Sequence, residues 1–149
     1  MDIMKATLQD VKQAADLFNR YRRFYQQDHD LDGAEAYIAE RLKRGDSVIF
    51  LAKEGDDCIG FMQLYPTFSS IGMKKAWILN DLYVAEGARK QGVGEKLLDT
   101  AEAFARETGA GSIALSTAPD NDKAQRLYER KGYERDEQFY HYALSLQRG

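Results

Sequence analysis

The sequence predicts a mixed α/β domain in which one partly parallel central sheet is flanked by about four helices. Three observations carry this. Apolar residues alternate between helical and strand-like spacing along the chain, in the order β, α, α, β, β, β, α, β, α, β, β, with the last two strands short or merged. Three consecutive strands in the middle are separated by turn residues and read as an antiparallel meander. The third strand runs through a glycine turn into a helix and then another strand, a βαβ crossover that makes those two strands parallel.

At 149 residues the chain suits a single domain over 1–149 with a proper core. Apolar residues at 44% and charged residues at 30% describe a globular protein. No apolar run is long enough to span a bilayer, and the charged start Met1-Asp2-Ile3-Met4-Lys5 is unlike a signal peptide, so a cytoplasmic protein without a membrane partner is expected. A net charge of −3, with lysines and arginines scattered, argues against a nucleic-acid partner. Only His29 and His141 occur, without a spaced Cys, His or carboxylate cluster, so no metal site is expected. Cys58 is alone in an apolar run and reads as buried filler.

Ile3 to Ala6 is a short strand, and Thr7-Leu8-Gln9-Asp10 has the form of a capping box opening a helix. In that helix Val11, Ala14, Ala15, Phe18 and Tyr21 fall on one stripe, which fades near Gln26-Gln27. The acidic link Asp28 to Gly33 is a solvated turn capped by Asp32, or the rim of a site for a cationic substrate. A second helix follows from about Ala34 to Lys43. Val48 to Ala52 is a strand, Glu54-Gly55-Asp56-Asp57 a hairpin turn, and Cys58 to Tyr65 the next strand, closed by Pro66. A polar loop from Thr67 to Lys75 leads to the strand Ala76 to Val84. Beyond Gly92 a helix carries Val93, Leu97, Leu98, Ala101, Phe104 and Ala105 on one face and stops at Gly109. Ile113 to Thr117 is a strand, Pro119 to Asp122 starts a helix that ends at Gly132, and Gln138 to Leu146 alternates as a final strand. Tyr21, Phe24, Tyr25, Tyr83, Tyr140 and Tyr142 read mostly as core, some of them able to line an amine pocket.

The turn Arg89-Lys90-Gln91-Gly92-Val93-Gly94 links the longest apolar strand to an amphipathic helix. Glycines admit a ligand close to the backbone, and the first amides of a helix lack intrahelical acceptors, so the pair forms an anion cradle suited to phosphate. A Walker loop is excluded because Gly94 is followed by Glu95 and Lys96, and a dinucleotide fingerprint lacks its third glycine near Leu97. What remains, R-x-x-G-x-G between strand and helix, resembles the acetyl-coenzyme A signature of the GNAT superfamily of N-acetyltransferases. Asn121-x-x-Ala124-x-x-Leu127-Tyr128, followed by Lys131-Gly132-Tyr133, resembles the second block of that superfamily. The strand Trp77 to Val84 is similar to that of the polyamine and histone-type amine acetyltransferases, chiefly at Asp81, Tyr83 and Val84.

The resemblance implies a GNAT-like sheet that splays after its fourth strand, with acetyl-CoA as co-substrate and no metal. It implies that the backbone at Leu82, Tyr83 and Val84 pairs with the pantetheine arm. It also implies that Arg89, Lys90, Gln91, Gly92, Val93, Gly94 and Glu95 hold the pyrophosphate, that Asn121 touches the cofactor, and that Tyr128 stands near the thioester sulfur. The acceptor it implies is a primary amine, either a small polyamine-like compound or a protein lysine; exposed Tyr and Leu on the final strand, together with the polar-looped meander, lead by analogy to the expectation of a homodimer.

An amine with pKa ~10.4 is neutral only about once in 2,500 molecules at pH 7, so a path for its proton is needed. Polyamine-type relatives carry a glutamate where this chain has Asn80, and an amide cannot accept that proton. Asp81 is the nearest carboxyl in sequence, yet strict alternation points it to the opposite face unless the strand bulges. A water chain to Asp28, Asp30 or Glu35 is the other route, and the base stays unassigned at this point. Tyr128 is the candidate acid that protonates the leaving thiolate. The alternative is a non-catalytic acyl-CoA sensor that keeps the cradle and has lost the base, motivated by Asn80.

Overall fold

A computed structural model describes residues 1–147. The chain forms two compact units, one spanning Met1–Ser116 and one beginning at Thr117. The first contains strands β1 (Asp2–Lys5), β2 (Val48–Glu54), β3 (Asp57–Ser69), β4 (Lys74–Val84) and β5 (Ser112–Ala114), with helices α1 (Val11–Phe24), α2 (Leu31–Arg44) and α3 (Val93–Glu107). The second contains α4 (Asp122–Arg130).

The strands lie in the order β1-β2-β3-β4-β5, antiparallel except for the parallel β4–β5 pair. The predicted mixed α/β sheet is therefore present. Parallel pairing covers only Ala76 to Ile78 against Ser112 to Ala114. From Leu79 to Val84, β4 runs on with no β5 partner, which leaves the sheet open there.

Alternation along the strands buries both faces. Ile49, Leu51 and Phe61 pack with Ala14, Ala15, Leu17 and Phe18 of α1 and with Ile38 of α2. On the opposite face, Phe104 of α3 meets Phe50 at 5.4 Å and Trp77 at 5.1 Å between ring centroids. Gly60 lies directly under α3: a Cβ there would lie 2.9 Å from Val93 Cγ1 and 3.2 Å from Leu97 Cδ1. Thr7 and Asp10 form the predicted capping box, the Thr7 N–H donating to Asp10 Oδ2 at 2.8 Å, and a short 3-10 turn then leads into α1.

Three expectations change. The second helix starts at Leu31, capped by Asp30 rather than Asp32, because the Asp30 Oδ1 accepts the Gly33 N–H at 2.9 Å. Strand β3 continues past Pro66 to Ser69, and the expected polar loop shrinks to the tip of a long hairpin. The β2–β3 ladder ends at the Val48–Leu64 pair, so beyond that point β3 is paired on one side only and a residue without an N–H is tolerated. The expected final strand is absent: no described residue from 138 to 147 pairs in a ladder, and Tyr140 and Tyr142 are 91% and 93% exposed rather than core. Alternation alone does not make a strand when no neighbour accepts its backbone hydrogen bonds.

Candidate active site

The α3 end of the site is built by backbone conformation. Gly92 caps α3 at φ +77 and Lys90 has φ +69, so the turn uses the left-handed region twice. A Cβ at Gly92 would meet nothing within 4 Å, so the space in front of it is open. The first helical bond of α3 runs from Lys96 N–H to the Gly92 carbonyl at 3.1 Å, so the amides of Val93 and Gly94 precede the ladder at the positive end of the helix dipole. The side chain of Val93 is buried under the sheet, while Arg89, Lys90 and Gln91 are exposed. Arg89 folds back: its Nε donates to the Val84 carbonyl at 3.1 Å and its guanidinium lies 5.6 Å from the Tyr83 ring centroid.

The second wall is the open edge of β4. The Ala85 N–H donates to the Ile59 carbonyl at 2.9 Å, and antiparallel ladders alternate, so Tyr83 and Asp81 also turn their backbone groups toward β3. Leu82 and Val84 then direct theirs to the open side. An extended acyl-carrying arm bonds to such an edge as an added strand.

A bulge decides where Asp81 goes. Gln63 is opposite Asp81 and Leu64 is opposite Leu79, so Asn80 is an extra residue on β4. Were Asn80 paired in a regular ladder, Asp81 would share the α3 face of Trp77 and Leu79. With the bulge, Asp81 joins Gln63, Tyr65 and Tyr83 on the α1–α2 face, while Asn80 is solvent-exposed. Asp81 is 4% exposed. It accepts from Gln63 Nε2 at 2.7 Å and from Asn80 Nδ2 at 3.2 Å, and the Tyr21 hydroxyl also bonds to it. Burial raises its pKa above the ordinary carboxylate value, and these three hydrogen bonds offset part of that rise.

Around it stands an aromatic wall from α1, α2 and β3. Tyr21 packs edge-on against Tyr25 at 5.1 Å and Tyr83 at 6.5 Å, with its hydroxyl donating to the Asn80 carbonyl at 3.2 Å. The Tyr65 and Tyr37 hydroxyls are 2.8 Å apart. Burial, this contact and the nearby Asp81 charge push the Tyr65 phenol far above its usual range, so it stays protonated. Of the other acids considered from the sequence, Asp30 is engaged as the α2 cap. Gln63, Ser47, Tyr65 and Tyr37 were not legible as site residues. The one available signal was Gln63 itself, an amide between Phe61-Met62 and Leu64 in a strand otherwise apolar there.

In the second unit, Asn121 caps α4, its Oδ1 accepting the Ala124 N–H at 3.2 Å. Tyr128 lies on α4 with its ring 6.1 Å from that of Tyr133, and Gly132 ends the helix at φ +96. The described residues contain no group of three or more His, Cys, Asp or Glu that could hold a metal ion.

The profile of the Acetyltransferase (GNAT) family matches residues 13–133. An uncharacterized N-acetyltransferase of Bacillus subtilis, YhfO, is 49% identical over 146 residues, covering 98% of each chain. A D-amino-acid N-acetyltransferase of Saccharomyces cerevisiae is 36% identical over 104 residues, covering 70% of this chain and 64% of that protein. The crystal structure of a probable acetyltransferase superposes over 100% of both chains with a TM-score of 0.94 at 42% identity.

Proposed function

Because this chain belongs to the acetyltransferase (GNAT) family and is an N-acetyltransferase, we propose that it moves the acetyl group of acetyl-CoA directly onto a primary amine, either a small polyamine-like compound or a lysine side chain. The observation that carries the acceptor half of this reading is the bulge at Asn80, which brings a buried carboxyl to the aromatic α1–α2 face. Acetyl-CoA supplies the activated acyl group. The chain fits it through the open turn at Gly92 and the unpaired edge at Leu82 and Val84.

Asp81 is the proposed proton acceptor. Its raised pKa makes it a better base than an ordinary carboxylate. Tyr21 and Tyr83 offer ring faces to an ammonium arriving beside it. Arg89, Lys90, Gln91, Gly92, Val93, Gly94 and Glu95 bind the pyrophosphate, chiefly through the amides at the start of α3. Asn121 contacts the cofactor in addition to capping α4, and the Tyr128 phenol protonates the departing thiolate. The motive for a non-catalytic sensor, the amide at position 80, weakens once Asp81 serves the same face.

The test is thiol release from acetyl-CoA with a panel containing polyamines, a lysine peptide and, because of the yeast relative's name, D-amino acids. Amine-dependent release is expected with at least one class. Tyr128→Phe is expected to lower kcat about 10- to 100-fold at unchanged melting temperature. Release with no amine removes the acceptor assignment, and an unaffected Tyr128→Phe removes the acid role alone. We also propose a cytoplasmic homodimer of single-domain chains, supported by the exposed apolar side chains of the β3–β4 hairpin tip and of the tail.

A further inference from the structure

Gln63 has no solvent exposure, and Ser47, which precedes β2, is 7% exposed. The Ser47 hydroxyl donates to Gln63 Oε1 at 2.9 Å, and Gln63 Nε2 donates to Asp81 Oδ2 at 2.7 Å. This chain has a direction. An ionised carboxylate only accepts, so it requires the amide nitrogen of Gln63 to face it. A hydroxyl donor at Ser47 requires the amide oxygen on the other side. The carboxylate end selects the amide orientation, the Ser47 hydroxyl completes it by donating to the amide oxygen, and that orientation suits the charged form of Asp81.

Resting on the proposed role of Asp81 as proton acceptor, we infer that Gln63, oriented by Ser47, is a positioning residue that holds the Asp81 carboxylate ionised and aimed at the amine side of the sheet. The other groups facing Asp81 do not replace it. Tyr21 from α1 divides its hydroxyl between Asp81 and the Asn80 carbonyl. Tyr65 from β3 is paired with Tyr37 from α2. Arg41, also on α2, lies 3.1 Å from Asp46 and stacks on Tyr37, so its charge is shared before it reaches Tyr65. Asn80 donates to the other oxygen at the longer distance of 3.2 Å. A buried carboxylate that loses its shortest donor should bind its proton more tightly.

The measurement is the titration of the Asp81 carboxyl carbon by 13C NMR in the free protein, for wild type, Gln63→Met, Ser47→Ala and Ser47→Thr. In Gln63→Met the midpoint is expected to rise by about one to two units, the weight of one hydrogen bond to a charged group. Ser47→Ala should raise it by a smaller amount and Ser47→Thr, which keeps the hydroxyl, should restore it. An unmoved midpoint in Gln63→Met overturns the inference; should that variant fail to fold, an unmoved midpoint in Ser47→Ala does so. The acid limb of the pH–rate profile, with whichever amine is acetylated, should follow the carboxyl midpoint. If the midpoint moves and the limb does not, Gln63 still positions Asp81 while the proton-acceptor role of Asp81 falls.

Discussion

Cys58 and Asp81 show one physical cause with opposite consequences. Burial pushes the Cys58 thiol up to about 11, above the opposing effect of nearby Lys53. Two units above its ordinary value, the thiol is ionised about a hundredfold less often, and only the thiolate attacks. Iodoacetamide at pH 7.5 should therefore label the native protein about a hundredfold more slowly than the urea-unfolded chain, and equal rates would contradict this. Burial likewise raises Asp81, but there three donors keep the charged form within reach. Filler was legible for Cys58 from its apolar neighbours. The setting of Asp81 was not, because it depends on a one-residue mismatch between two strands and on Gln63, eighteen positions away.

Among elements, the contact of α3 with the sheet governs the turn proposed to hold the pyrophosphate, since it fixes where the helix begins. Gly60 leaves no room beneath α3, with Ala52 Cβ of β2 at 3.1 Å and Val93 Cγ1 at 2.9 Å from any added methyl. Gly60→Ala should lower stability by about 1–3 kcal/mol through overpacking, read as an earlier urea midpoint at unchanged slope. A midpoint equal to wild type would mean that α3 shifts outward freely. Helices and the meander were legible because their periodicities are strong: the α1 and α3 stripes lie where the sequence put them. Pro66 misled because its meaning depends on whether β2 still flanks β3 at that point, and no local signal carries that. The tail misled for a related reason, as Tyr140, Tyr142, Leu144 and Leu146 alternate without a ladder to join.

For the whole molecule, the apolar surface left in water is the main physical tension. Phe68, Ile71 and Met73 crowd the β3–β4 hairpin tip at 79%, 94% and 88% exposure, and the tail adds its own apolar row. Several large apolar side chains this exposed on one hairpin tip are the kind of surface a partner covers. Light scattering should give a mass of twice the 17.0 kDa chain, and Ile71→Glu with Met73→Glu should move it toward the single-chain value. A single-chain mass for the unaltered protein would end the homodimer proposal. Fold class and the glycine turn before α3 could be read from sequence since both rest on local pattern; pairing between copies has no such signature.

Asn80 also sets how this lineage can drift. A deletion of that single codon would preserve composition nearly intact, keep net charge, leave both glycine-containing motifs untouched and close the bulge, so that Asp81 would follow Leu79 in a regular ladder and stay opposite Gln63. The opposite change, an Asn80 retained but drawn into a regular ladder, would drive a carboxyl against Trp77 and Leu79 beneath α3 and put the isobutyl group of Leu82 among the tyrosines. A one-residue gap at this position is therefore chemically quiet, whereas a change that unmakes the bulge without shortening the strand turns the site inside out.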